Sequence, residues 1–207
     1  MELPKEFREY AVEALGEEIA GELFAQIEQS GEITSIRVNP HKGVTMEVIA
    51  EGLVAADGNG GDGRDGREGG DGVPSPVLWS SCGHYLPRRP LFTLDPLFHA
   101  GAYYVQEASS MYMELAAMAI EADYSARGGE GNFFCRELNA LDLCAAPGGK
   151  STHLASLLGN DSLLVSNEVI KSRAVVLADN IAKWGRDNVV VTNNDPADFT
   201  ELTHLFD

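Results

Sequence analysis

Residues 138–158 constrain this chain more than any other stretch. Leu138, Ala140, Leu141, Leu143 and Cys144 form a short, mostly apolar run that ends in Ala145, Ala146, Pro147, Gly148, Gly149 and Lys150, the pattern of a buried parallel strand opening into a tight loop. Helical spacing then brings back His153, Leu154, Leu157 and Leu158 before Gly159 closes the segment. Strand, glycine turn and helix predict a nucleotide-type crevice. Gly148 and Gly149 permit positive φ and leave no Cβ between main chain and ligand, while the helix that follows offers free N–H groups. Lys150 is the odd residue, because a cation in a helix's first turn opposes the macrodipole by roughly 0.3–1 kcal/mol when exposed. We read it as answering a carboxylate, either that of Asp142 or a ligand's.

Spacing separates the ligand classes that use such loops. A phosphate-binding loop of the GxxxxGK[ST] type needs a glycine where this chain has Cys144, and Pro147 removes one of the cradling N–H donors. A dinucleotide fingerprint needs G-x-G-x-x-G, whereas the glycines here are adjacent and no third follows at the right place. An ATPase and a hydride-transfer enzyme are both disfavoured.

The remaining signal is a resemblance. DLCAAPGGKST at 142–152 resembles the cofactor loop of the Sun family of S-adenosylmethionine-dependent RNA (cytosine-5) methyltransferases. HAGAYYVQEASSM at 99–111, SNE at 166–168, RAVVLADNIAKWG at 173–185 and DFT at 198–200 are similar to that family's other blocks. Together these motifs cover most of the chain from Leu91 onward. The resemblance implies an α/β fold in which an N-terminal α+β domain (1–125) precedes the first half of a Rossmann-like methyltransferase domain (126–207). It implies S-adenosylmethionine as cofactor and RNA as partner, ribosomal ahead of transfer RNA. The cofactor-binding set it implies is Cys144, Ala145, Ala146, Pro147, Gly148, Gly149, Lys150, Glu168, Arg173 and Asp195, with Asp195 at the adenine amino group and Cys144 a small side chain packing against the strand. In the family one cysteine adds to carbon 6 of cytosine to activate carbon 5 and a second assists release of the enzyme. Both belong to blocks beyond the third strand, so we assign no catalytic residue and expect an enzyme fragment that transfers no methyl group by itself. The alternative is a non-catalytic RNA- or protein-interaction fragment with a partial cofactor site.

Composition bounds this reading. The 207 residues are 44% hydrophobic, enough for an ordinary core. No apolar run approaches the roughly 18 residues of a membrane span, and MELPKEFREY lacks the pattern of a signal peptide, so no membrane and a cytoplasmic location are expected. Cys82, Cys135 and Cys144 form no C-x-x-C pair, the five histidines have no ligand spacing, and no metal site is expected. The formal net charge of −17 opposes a simple RNA-binding module, whose non-specific affinity comes from Lys and Arg on phosphates. Arg37, His41, Lys42, Arg88 and Arg89 are the candidate basic spots, since charge need only be local; scattered solvated charges are the competing reading.

In chain order, residues 4–15 and 17–28 read as amphipathic helices, 36–40 as a strand and 46–53 as a helix. Residues 57–72, DGNGGDGRDGREGGDG, hold no apolar side chain and are expected to be a flexible insertion. Their likeness to one calcium-binding nonapeptide lacks a stacked second copy. Residues 79–86 and 91–98 read as short strands and turns, 102–106 as a strand, 108–122 as a helix and 125–132 as a polar linker. Tyr103 and Tyr104 are either base-stacking aromatics or core. Strands at 163–165 and 188–192, with a helix at 171–184 between them, place Glu168, Asn194 and Asp195 at strand ends, where open α/β sheets bind ligands. Glu168 lies about 20 residues beyond the glycines, the distance at which an acid accepts hydrogen bonds from ribose.

Overall fold

The computed structural model describes residues 3–29, 33–56 and 73–207; the expected flexibility of 57–72 falls outside them. The chain divides into two units, Met1–Ile33 and Thr34–Asp207.

The first unit is a pair of helices, α1 (Lys5–Leu15) and α2 (Glu17–Gln29). Pro4 precedes α1, where a missing N–H costs nothing, and Gly16 breaks the chain at φ 81°. Ala11, Ala20 and Phe24 bury against one another, and Arg8 lies 4.8 Å over the Phe24 ring while pairing with Glu28.

The second unit holds two sheets. Strands β1 (Thr34–Val38), β2 (Ser75–Pro76), β3 (Gly83–Leu86) and β4 (Tyr103–Val105) form an antiparallel sheet in the order β2-β3-β1-β4. Helix α3 (Met46–Ala56) and α4 (Pro96–His99) close over it through Ile36, Val38, Ile49, Leu53, Phe92 and Tyr103. The expectation of strands over 91–98 is corrected here: that stretch is a 3-10 turn at Phe92–Leu94 followed by α4. Asp95 Oδ1 caps α4 by accepting from the Leu97 N–H at 2.9 Å, and Pro96 occupies the first turn. The expected helix over 108–122 is a 3-10 turn (Ala108–Tyr112) running into α5 (Met113–Ala126).

Strands β5 (Asn139–Asp142), β6 (Leu163–Asn167) and β7 (Val189–Thr192) are parallel and in sequence order. The crossovers are α6 (Gly149–Leu157) and α7 (Lys171–Trp184). Alternation along the strands sends Leu164 with Ala140 and Val189 toward Ala155 and Leu158, and Val191 toward Leu177 and Ile181. The opposite face carries Leu163, Val165, Val190 and Thr192, which line a groove of about 330 Å³ with Phe199, Leu202, Leu205 and Phe206. No helix among the described residues is long and apolar enough to cross a membrane.

Candidate cofactor-binding site

The loop from β5 to α6 stands at the carboxyl end of the parallel strands. Gly148 has φ +112°, and a Cβ there would meet Leu177 Cδ1 at 3.3 Å, so the turn needs glycine for conformation as well as space. Gly149 differs from the sequence reading. It has ordinary φ, and a Cβ on it would approach Tyr104 Cε1 at 3.5 Å and Gln106 Nε2 at 3.6 Å, toward the antiparallel sheet rather than toward a ligand.

Side chains catch the loop's carbonyls from behind. Arg173 Nη2 donates to Ala146 O at 2.9 Å. Pro147 O accepts from Asn180 Nδ2 at 2.8 Å and from the Tyr104 hydroxyl at 3.2 Å. Gly149 O accepts from Arg37 Nη2 at 3.2 Å. The main chain is further pinned by the Ala145 N–H on Asn167 O at 2.8 Å. With the carbonyls held back, the N–H groups of Gly149, Lys150 and Ser151 have no partner among the described residues, as the first turn of a helix requires. Free N–H groups and the positive end of the macrodipole suit a carboxylate or phosphate.

Two acids flank this turn. Glu168 is 3% exposed; its Oε1 accepts from the Ile170 N–H at 3.0 Å and its Oε2 lies 3.5 Å from Arg173 Nη1. Arg173 therefore joins the end of β6 to the glycine loop. Asp195, exposed after β7, caps a 3-10 turn through Oδ1 and the Ala197 N–H at 2.9 Å. Its Oδ2 has no partner among the described residues, leaving an acceptor free.

Other expected roles change. Asp142 Oδ2 accepts from Ser151 Oγ at 2.6 Å, and Lys150 is exposed without an ion pair among the described residues, so Asp142 is not its partner. Cys144 is exposed rather than packed on the strand. Tyr103 is core, 2% exposed with its hydroxyl on Asp95 Oδ2 at 2.6 Å. Arg37 cannot be a surface contact for RNA, being 1% exposed. The described residues include no cluster of three or more His, Cys, Asp or Glu that could hold a metal.

Behind the loop, Arg37 Nε donates to Gln106 Oε1 at 2.8 Å and Nη2 to Thr152 Oγ1 at 2.6 Å, while its carbon Cζ stacks 4.4 Å over the Trp184 ring. Burial brings its pKa down to about 9, which still leaves it charged at neutral pH. Beside it, His153 Nε2 is 3.4 Å from Glu114 Oε2. Burial and then Arg37 push His153 down to about 4, against the pull of Glu114. Burial would raise the Glu114 carboxyl, but hydrogen bonds from Ser81 and the neighbouring His153 outweigh it and hold it low. The sequence marked His153 only by helical spacing and Arg37 only as a basic spot, because a covered strand looks the same in sequence whether its inward residue is apolar or a clamp.

A three-stranded parallel sheet with a glycine turn at its carboxyl edge is Rossmann-like. The methyltransferase homolog protein from Pyrococcus horikoshii superposes over 99% of this chain and 57% of its own at TM-score 0.67 and 25% identity. NSun6 from Pyrococcus horikoshii, solved with SFG, shares the fold at TM-score 0.64 and 18% identity over 96% of this chain and 67% of its own. Residues 136–207 match the family described as 16S rRNA methyltransferase RsmB/F. The ribosomal RNA small subunit methyltransferase F of Aeromonas hydrophila is 37% identical over 138 residues, and that of Shewanella piezotolerans 34% over 135, each alignment covering 64% of this chain and 26% of the relative. The chain thus spans about a quarter of the length of these curated relatives.

Proposed function

We propose that residues 126–207 hold S-adenosylmethionine for methylation of cytosine carbon 5 in ribosomal RNA, and that residues 1–125 form the accompanying α+β domain. The observation that supports this most is the loop whose carbonyls at 146, 147 and 149 are tied back while the N–H groups of 149–151 stay open. When bound, the cofactor supplies an electrophilic methyl group on a sulfonium. The chain's own residues orient it: the first turn of α6 takes the amino-acid carboxylate, Glu168 uses its spare lone pairs for the ribose hydroxyls, and Asp195 Oδ2 accepts from the adenine amino group. Cys144, Ala145, Ala146, Pro147, Gly148, Gly149 and Lys150 shape the floor, and Arg173 positions Glu168 without touching cofactor.

This polypeptide by itself transfers no methyl group. Carbon 5 of cytosine needs a thiolate added at carbon 6, and a thiolate needs an adjacent base or a lowered pKa. No thiol of Cys82, Cys135 or Cys144 lies within hydrogen-bonding reach of a histidine or lysine among the described residues. Calorimetry with S-adenosylhomocysteine tests the site: measurable binding that Gly148→Val abolishes is expected, and equal affinity in both proteins would refute the assignment. A tritium-transfer assay on unmodified ribosomal RNA tests the rest. No counts above background are expected, and cytosine methylation lost on Cys144→Ala would overturn the claim of inactivity.

A further inference from the structure

Arg37 is an expensive residue for the core of a small sheet. It stands on the interior strand β1, and its direct partners are all neutral: the Gln106 amide, the Thr152 hydroxyl and the Gly149 carbonyl. Its Nη1 is buried with no partner among the described residues. Glu114 reaches it only through space and is itself engaged by the Ser81 N–H and His153. Buried ions in such settings are commonly replaceable by apolar groups of similar volume without loss of stability. The guanidinium also lies under the N-terminal turn of α6, where the macrodipole already contributes positive potential. Two positive sources are therefore stacked at one point with no anion of the protein bonded to either.

The bond to Gly149 O shows what this arrangement can do. That carbonyl and the Lys150 N–H belong to one peptide unit, so a cation on the oxygen draws electron density from the nitrogen and strengthens the N–H as a donor. We infer that Arg37 is a positioning residue for cofactor binding, fixing the Gly149–Lys150 peptide and polarising its N–H toward the ligand's carboxylate. This rests on the reading of the loop as an S-adenosylmethionine site. Gln106 and Thr152 hold the fork in plane, and Trp184 covers its face.

The inference separates two ligands that share adenosine. S-adenosylhomocysteine carries the amino-acid carboxylate, and 5′-methylthioadenosine lacks it. Calorimetric titration of the chain is expected to show Arg37→Met weakening the first by about tenfold, the scale of one charge-assisted hydrogen bond, while the second stays within about twofold, with partial recovery in Arg37→Lys. A purely structural role would weaken both ligands alike, and that result, or no loss for either, overturns the inference. Where Arg37→Met fails to fold by circular dichroism, Thr152→Val frees the fork without burying a new group, and the same selective loss is expected, smaller in size. The Lys150 amide in 15N spectra of the unliganded chain gives an independent reading. It should shift in the variant more than the Ser151 amide, and an unmoved Lys150 resonance defeats the polarisation. A wild type that binds neither ligand sinks the cofactor site itself, and the Lys150 shift then still decides the role of Arg37.

Discussion

The antiparallel sheet buries its central strand on both faces, whereas the parallel sheet is covered on one. Every residue of β1 is at most 9% exposed, from Thr34 at 4% to Val38 at 9%. On the parallel sheet, Leu164 is fully buried under α6, but Leu163 is 39% and Val190 48% exposed on the far side. All-parallel sheets ordinarily have both faces covered. The difference shows where this chain commits its order: the seam between the antiparallel sheet and α6–α7 is closed by Arg37, Asn39, Tyr104 and His153, and the glycine loop is held both from that side, by Arg37 and Tyr104, and from its own sheet and α7, by Asn167, Arg173 and Asn180.

The seam should break most severely at Gly101. It has φ +70°, and a Cβ would fall 2.0 Å from Lys183 O, while Asn39 Nδ2 bridges Gly101 O and Trp184 O at 2.9 Å each. Gly101→Val is expected to cost about 4 kcal/mol or more in urea unfolding, and a loss under about 1 kcal/mol would show the close approach to be dispensable. The two faces of the parallel sheet can be compared directly. Leu164→Ala should cost about 3 kcal/mol, and Val190→Ala, half exposed, about 0.5 kcal/mol. Equal losses would mean that the far face is as well packed as the near one.

Acidification gives a milder test of the seam. The folded His153 pKa, about 4, lies below the ordinary value of 6.5. Between those values the unfolded chain binds the proton and the folded chain does not, so stability is complete above pH 6.5 and falls as pH drops toward 4. Linkage puts the loss at about 2 kcal/mol between pH 7 and pH 5. His153→Gln should flatten the profile over that window in denaturant titrations; an unchanged slope would assign the acid sensitivity elsewhere.

Much of this architecture was legible because local signals agreed. Residues 138–158 read as strand, glycine loop and helix, and β5 and α6 fall there; the helix over 171–184 was read to its observed ends, where Gly185 takes φ 80°. The misreading at 91–98 came from weighing the apolar spacing of Leu91, Phe92, Leu94, Leu97 and Phe98 above the Asp95–Pro96 pair, which is a helix start. Strand β2 has only two residues and no periodicity to detect. At the candidate site, spacing placed the glycine turn after β5 and Glu168 at the end of β6. Arg37 was read as a surface cation because alternation reports a face only when the other face is wet, and Gly149's inward direction depends on Tyr104 and Gln106, more than 40 residues away in sequence.

The clamps have a kinetic consequence. Arg37 and Thr152 are separated by 115 residues and Asn39 and Trp184 by 145, whereas the β5–β6 and β6–β7 ladders join strands about 25 residues apart. Closing the longer loops adds little to the equilibrium cost, about 0.6 kcal/mol per doubling, but it delays the contacts that depend on them. The parallel ladders are therefore expected to form before the seam locks. Substitutions at Asn39 or Arg37 are then expected to speed unfolding more than they slow refolding, and stopped-flow rates that showed refolding slowed as much would place these contacts in the early nucleus.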